Sequence, residues 1–481
     1  MMGFQPDLQP QLFYHNFNLE ERIPQDHILR KIRERIDFDF IYNDVKAFYG
    51  DKGNVSVPPP VILKMMLLLL LYNVRSEREL MKTIPMRLDW IWFLGYDLGS
   101  PVPDHSVLSK ARVRWGHSAF KGFFERIVWQ CVQAGLVDGR KIFVDSSFIQ
   151  ADASNDSIVS TERLKEQIAR GFHEFESRLD EQETPSGNVN SNLQSTTDPD
   201  ASVGKGKQKL QYKIHRSVDE ENEVITATQV TPGAVSEAHQ LLPLLSSHQE
   251  NTQLPADTVV ADAAYGTIEN YIACSDLNIN AHIPDLKDSQ KKDGLRNGLF
   301  TDEAFLYDPE HNVYRCPAGK ELRRRGANKK RKTLIYRCSA KTCDSCHLKN
   351  NCTPSKHGRS VHRHIRQREL DRMRLKSRSA ASRADIRTRQ HLMERSFARA
   401  VRFGFKRARW RRLWRVQIQE YLISAIQNIM VLLKFDKERK ASAMRCISSI
   451  KERLLSKGTK PRFNALWKKY YSFSTPQGAF A

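Results

Sequence analysis

No unbroken apolar run in this sequence reaches the length of a membrane span. Its longest apolar run, VILKMMLLLLLY at residues 61–72, is interrupted by Lys64 and falls short of the roughly 20 residues that a span needs. No basic-then-apolar leader opens the chain, so a cytoplasmic protein with no membrane partner is expected. Cysteine is scarce, with 8 in 481 residues, which argues against a disulfide scaffold and makes reduced thiols the default. Internal repeats are missing as well, which leaves an ordinary globular chain of several domains.

What the sequence does have is positive charge, unevenly spread. Lys and Arg number 77 against 55 Asp and Glu, a net charge of +22. Residues 321–420 alone hold 31 basic against 7 acidic residues, and the rest of the chain holds 46 against 48, close to neutral. A concentrated basic block points to a polyanionic partner, because Lys and Arg gain affinity by releasing counterions from phosphates. Aromatic and apolar residues interleave this block in RFGFKRARWRRLWRV, which favours a folded nucleic-acid surface over a solvated tail. Arg402, Lys406, Arg407, Arg409 and Arg411 of that run are candidate DNA contacts, together with Arg395 just upstream.

Hydrophobic patterning divides the chain. Residues 1–135 read as helices, including PPPVILKMMLLLLLYNV with prolines at its start. Their short basic helices suit a DNA-end reader or an ordinary bundle. From residue 136 the pattern alternates between strands and helices. IFV at 142–144 is a buried strand ending in Asp145. After an insertion at about 155–210, with a helical piece and a Ser/Asn/Gly-rich linker, come the strands QYKIHRSVD and VITATQVTPG. The EAHQLLPLLSSH helix, the TVVADAAYG strand, the TIENYIACSDLN helix and the INAHIP strand carry the pattern to residue 283. Residues 284–380 break it with a basic, cysteine-bearing insertion, helices resume over 381–435, and 436–481 form a basic tail. The expected class is therefore α/β: a mixed sheet flanked by helices, preceded by an all-helical domain and interrupted once.

Two of those strands end in aspartate. Asp145 and Asp262 each follow an apolar run and precede small residues, a pattern that also serves to cap the next turn. In a sheet of this kind, however, adjacent strand ends bring two carboxylates side by side. Glu394 offers a third, since Phe397, Ala398 and Val401 lie at i+3, i+4 and i+7 and put it on the apolar stripe of its helix. A carboxylate there is costly unless a metal or one of the many nearby arginines pairs with it. Three carboxylates without clustered histidine make a hard oxygen site suited to Mg2+ or Mn2+ and to phosphodiester chemistry.

The ordered motifs PPPVILKMMLLLLLYNVRSERELMKTI, PDHSVLSKARVRW, FVDSSFIQADAS, STTDPDAS with YKIHRSVD, VTPGAVSEAH, VVADAAYG and ERSFARAVRFGFKRARWRRLWRVQIQEYLISAIQNI resemble those of DDE transposases of bacterial insertion sequences. The likeness runs from about residue 50 to residue 435 and rests on the order of the motifs. It implies a ribonuclease-H-like core, with Asp145, Asp262 and Glu394 as the catalytic, metal-binding triad. It also implies cleavage at element ends followed by strand transfer into target DNA, by a homodimer on DNA at the bacterial nucleoid. A metal-dependent nuclease, or an inactive DNA-binding derivative, are the alternatives. Asp152 rivals Asp145, which is preferred because it directly ends the apolar strand. Val401 stands where related chains carry a lysine, with Arg402 beside it.

Five cysteines, Cys316, Cys338, Cys343, Cys346 and Cys352, fall within 37 residues. CDSC supplies a short chelating loop, and Cys316 and Cys352 complete a tetrahedral set for structural zinc, with Cys338 left over. Similar transposases carry such cysteines in the same insertion; the alternative is five free thiols. Cys131, Cys274 and Cys446 are isolated and read as packing residues.

Overall fold

The computed structural model describes residues 18–50, 55–160, 193–203, 209–285 and 299–456, so the helical piece expected inside the 155–210 insertion lies outside the described residues. The chain divides into two compact units, Met1–Ile429 and Met430–Ala481.

Among the described residues, 18–140 hold helices and no strand. Their centre is the helix Pro59–Leu71, whose prolines occupy the first two positions, where a missing N–H costs nothing. Leu63, Met65, Met66, Leu67, Leu68 and Leu70 are all fully buried. A helix apolar all round has to be surrounded, and the flanking helices supply Leu29, Ile32, Phe93, Leu108 and Phe123 to the same buried core. Lys64, the interruption in the run, lies over the rings of Phe38 and Phe93 at 5.3 and 5.6 Å.

The main sheet has β1 (Lys141–Gln150) at its centre. On one side β2 (Leu210–Asp219) runs antiparallel to it, and β3 (Ile225–Pro232) runs antiparallel to β2. On the other side β4 (Thr258–Val260) and β5 (Asn280–His282) follow in parallel. Parallel neighbours need crossovers, and the helix Ile268–Asp276 makes the one between β4 and β5. This is the mixed α/β sheet that the alternating pattern predicted. Its strands are buried as a sheet covered on both faces should be: Ile142, Phe143, Val144, Val259, Val260 and Ala281 are inaccessible to solvent.

Covering both faces also buries polar groups on β2. Arg216 is fully buried; its Nε donates to Glu420 Oε1 at 2.7 Å and its Nη1 to Gln427 Oε1 at 3.0 Å. Glu420 lies on the helix Leu413–Ser456, and its carboxylate also accepts from Thr228 and Ser424. The stretch Leu413–Asp436 of that helix is long and apolar enough to cross a membrane, and most of it is buried inside the protein. Its start is fixed from the sheet side: Asp198 Oδ1 accepts the Arg412 N–H and Asp200 Oδ2 the Leu413 N–H, each at 2.9 Å. Those carboxylates satisfy donors that a helix leaves open at its N-terminus, which accounts for the TTDPDAS stretch.

The insertion forms a second, five-stranded antiparallel sheet: β6 (Leu306–Asp308), β7 (Val313–Arg315), β8 (Glu321–Asn328), β9 (Thr333–Arg337) and β10 (Ser360–His364), joined in that order. It has its own small core of Phe305, Tyr314, Leu322, Tyr336, Cys338 and Val361. The helices Gln367–Ser377 and Ala380–Val401 then lead the chain back to the main sheet.

Candidate active site

Asp145 lies in the middle of β1 rather than at its end. The strand was expected to stop there, but Ser146 and Ser147 keep pairing with His215 and Ile214 of β2, so backbone bonding outlasts the apolar run. Asp262 lies two residues beyond β4 and caps the turn that follows, accepting the Ala264 N–H at 3.0 Å. The parallel register sets Phe143 beside Val260, so Asp145 and Asp262 stand at one level on neighbouring chain segments.

Their surroundings raise both carboxyls. Burial pushes Asp145 up to about 6, with the negative charges of Asp262 and Glu237 adding to it, while Arg389 and the Ser146 N–H pull the other way. Asp262 is raised too, by burial and then by Glu237. Glu237 opens a short turn after β3 and is held by Lys213 of β2, Nζ to Oε1 at 3.0 Å. Arg389, on the helix Ala380–Val401, reaches Asp145 Oδ2 at 2.6 Å.

Between these groups sits Tyr265. Its side chain is completely buried, its hydroxyl has no hydrogen-bond partner among the described residues, and the charges of Glu237, Asp145, Asp262 and Arg389 all act on it. An orphaned buried hydroxyl costs about 1–3 kcal/mol, so Tyr265 favours a polar group beside the two aspartates. Among the described residues no three His, Cys, Asp or Glu side chains stand in a geometry that holds a metal ion. The donor set nevertheless fits one: oxygen ligands, buried and mutually repelling, next to a hydroxyl that lacks a partner.

Glu394 is placed differently from expectation. It is exposed, and its Oε1 accepts from Gln390 Nε2 at 3.2 Å. The inward stripe of its helix consists of Leu392, Met393, Ser396 and Ala400, with Arg389 one turn earlier, while Ala398 faces solvent. Spacing alone could not tell these stripes apart, because Phe397 and Val401 are only half-buried. Asp152, the rival first aspartate, is engaged elsewhere, with Arg407 at 2.9 Å and Arg411 at 3.7 Å.

Several of the candidate DNA contacts are engaged within the chain. Arg395 pairs with Glu223 at 2.6 Å, and Arg407 with Asp152. Arg411 Nε donates to the Asp152 carbonyl at 2.9 Å. Arg409 is turned inward: its guanidinium bonds the Val74 carbonyl and the Asn73 side chain, so it ties the loop to the N-terminal helices instead of facing a phosphate. Trp410 does the same through Glu77, at 3.1 Å. Arg402 and Lys406 are exposed.

Two family models match the chain: the Transposase domain (DUF772) over residues 17–114 and the Transposase DDE domain over residues 315–433. Both matched segments are similar to transposase domains. The first covers the N-terminal helices, and the second takes in the cysteines, Arg389 and Glu394. A DDE domain is an enzyme domain, and both matches place the chain in DNA transposition. No curated protein matches it. Solved structures similar to it include a piggyBac transposase synaptic complex with hairpin DNA, at 9% identity over 95% of this chain and 84% of that one, with a TM-score of 0.35. A Mos1 transposase paired-end complex with left transposon end matches at 12% identity over 50% of this chain and 64% of that one, with a TM-score of 0.16. Such scores are too low to carry an argument, and the assignment rests on the family models.

Within the segment that matches the transposase DDE domain, the cysteines converge. Cys316, Cys338, Cys343, Cys346 and Cys352 all line one enclosed space of about 20 Å³. The Lys320 N–H donates to Cys316 Sγ at 3.3 Å. Gly358, at φ +80°, passes so close that a Cβ would meet the Cys338 carbonyl at 2.6 Å and Cys343 Sγ at 3.3 Å. The sulfurs as placed are not in ligand geometry, but four thiols around a void of this size suit zinc chemically.

Reading the sequence missed Glu237, Tyr265 and Arg389. Tyr265 and Glu237 lie inside the quoted motifs VADAAYG and VTPGAVSEAH, but nothing in composition or spacing marks them as neighbours; only the packing of their two turns does.

Proposed function

We propose that this protein cuts DNA at the ends of its element and joins the freed ends to target DNA, with Mg2+ or Mn2+ held by Asp145, Asp262 and Glu394. The observation that supports this best is the Asp145–Asp262 pair: two half-buried carboxylates at one level, both raised, beside a buried hydroxyl without a partner among the described residues. Such a pair is stabilised by a proton or by a cation. A bound divalent ion would activate the attacking oxygen and stabilise the leaving one. The chain's own residues set the stage. Arg389 orients the Asp145 carboxylate and Lys213 anchors Glu237 behind the pair, while Glu394, exposed on the same helix as Arg389, would have to turn toward the pair to supply the third carboxylate.

In the first reaction a water oxygen bonds to phosphorus and the P–O3′ bond breaks, leaving a 3′-hydroxyl and a 5′-phosphate. In the second, that 3′-oxygen bonds to a target phosphorus. The target's P–O3′ bond breaks, and its oxygen leaves as a hydroxyl after taking up a proton. DNA would lie along the exposed Arg402 and Lys406, with Arg395, Arg407 and Arg411 exchanging their carboxylate partners for phosphates. Two element ends need two sites, so the working form is a homodimer on DNA at the nucleoid. Zinc on Cys316, Cys343, Cys346 and Cys352 would staple the insertion.

The test is a plasmid carrying the gene's own flanking DNA, incubated with Mg2+ and either wild type or Asp262→Ala. Cut and joined products from wild type alone support the proposal, with DNA affinity nearly equal in both proteins because phosphate contacts supply it. Cuts without joining would leave a nuclease. Full cleavage by Asp262→Ala would remove the triad assignment, and binding without cutting by wild type would indicate a decayed enzyme.

A further inference from the structure

The geometry points to the β8–β9 hairpin of the insertion, residues 321–337, as an arm that grips the backbone of duplex DNA. This deepens the proposed function and rests on it. The hairpin holds eight basic residues, Arg323–Arg325, Lys329, Lys330, Arg331, Lys332 and Arg337, against one acidic residue, Glu321. All eight basic side chains are exposed. Only Arg323 has a carboxylate within ion-pair distance among the described residues, that of Glu321 at 3.3 Å.

β9 stays paired with β10 from Thr333 to Arg337, so what the arm offers is the outer edge of β8 and the turn. β7 pairs with β8 only from Glu321 to Arg323, so beyond Arg323 the outer edge of β8 is open. Every residue from Arg323 to Ala327 is exposed on both faces, with a bulge between Arg324 and Gly326. Four consecutive basic residues, 329–332, form the turn at the tip. A charged edge strand also keeps chains from pairing edge to edge, and one or two lysines suffice for that. Here Arg323 stands directly opposite Arg337, a like-charge pair that destabilises a sheet, and four further basic residues follow in the turn. This repulsion is relieved when phosphates replace water around the arm. Arg and Lys side chains are the groups that most often contact phosphate oxygens, and such contacts position a protein on a duplex without reading its sequence.

The experiment uses the full-length protein and a 40-bp mixed-sequence duplex, with affinity followed by fluorescence anisotropy between 50 and 300 mM NaCl. The variant carries Arg324→Gln, Arg325→Gln, Lys330→Gln and Arg331→Gln. Removing four phosphate contacts should flatten the slope of log K against log [salt] by about 3 to 4 and weaken binding at 150 mM by about tenfold to a thousandfold. The melting temperature should hold or rise at low salt, because four like charges are removed from the edge and the turn. A second variant with Arg324→Lys, Arg325→Lys and Arg331→Lys should keep the wild-type slope. If wild type binds and the glutamine variant shows the same slope, the arm is refuted while the proposed function stands. If wild type does not bind the duplex at all, both fall.

Discussion

Replacing Asp145 by asparagine is expected to stabilise the folded protein while abolishing its catalysis. Burial raises this carboxyl from an ordinary 3.8 to about 6, despite the opposing Arg389. Below pH 4 both folded and unfolded chains hold the proton, and the shift has no effect on stability. As pH rises, the unfolded chain releases the proton first, so stability falls between about pH 4 and pH 6 and then levels off. The span from 3.8 to about 6 corresponds to roughly 3 kcal/mol, an upper figure because the side chain retains 23% exposure. At about 2.1 cal/mol/K per residue, a chain of 481 residues moves about 1 °C in melting temperature per kcal/mol. Asp145→Asn should therefore melt about 2–3 °C above wild type at pH 8 in EDTA and level with it at pH 4, by scanning calorimetry. Mn2+ at about 100 times its dissociation constant should raise wild type by about 3 °C, from about 2.7 kcal/mol of linkage, and leave the variant unmoved. An Asp145→Asn protein that melts below wild type at pH 8 would refute the reasoning, because the Arg389 pair would then outweigh burial.

Glu237→Gln and Glu394→Gln separate the two candidate third carboxylates. We expect Glu394→Gln to lose cleavage by at least about a hundredfold, and Glu237→Gln to keep measurable cleavage with a shifted pH profile; the reverse ranking in plasmid-cleavage rates would move Glu237 into the triad. Glu420→Ala strands the buried Arg216 guanidinium and should cost about 3–5 kcal/mol, read as a lower midpoint in urea; an unchanged midpoint would show that water reaches Arg216. Elemental analysis of protein purified without added metal should find about one zinc per chain, retained in Cys338→Ser and lost in Cys343→Ser. Zinc absent from wild type would leave the insertion sheet to its small core alone.

The parts of this fold legible in the sequence are those where one physical signal dominates. The all-round apolar run at 59–71 can only be a surrounded helix, and the strands at 210–219 and 225–232 announce themselves by turn residues at 220–224. Asp145 and Asp262 were legible because a charge ending an apolar strand is costly. The orientation of Glu394 was not, because apolar residues half-cover two sides of its helix and only the packing of Met393 and Ser396 chooses between them. Within the basic run at 402–411, net charge does not reveal that Arg409 and Trp410 turn inward to Asn73 and Glu77, more than 330 residues earlier in the chain. The insertion sheet left no trace, since strands such as ELRRRGAN alternate nothing when both faces meet solvent.

The buried pairing of Arg216 with Glu420 spans 204 residues of chain. At a synthesis rate of about 5–20 residues per second, the strand that carries Arg216 leaves the ribosome about 10–40 s before its counter-charge exists. During that interval the central sheet cannot close around an unmatched guanidinium. A transcript that stops early, or a frameshift before residue 420, thus yields a chain that lacks the means to finish its core. Fragments that end before Glu420 leave Arg216 without its carboxylate partner, which favours their proteolysis over their persistence as stable competitors of the full-length protein. Quality control is in this way built into the order of the gene.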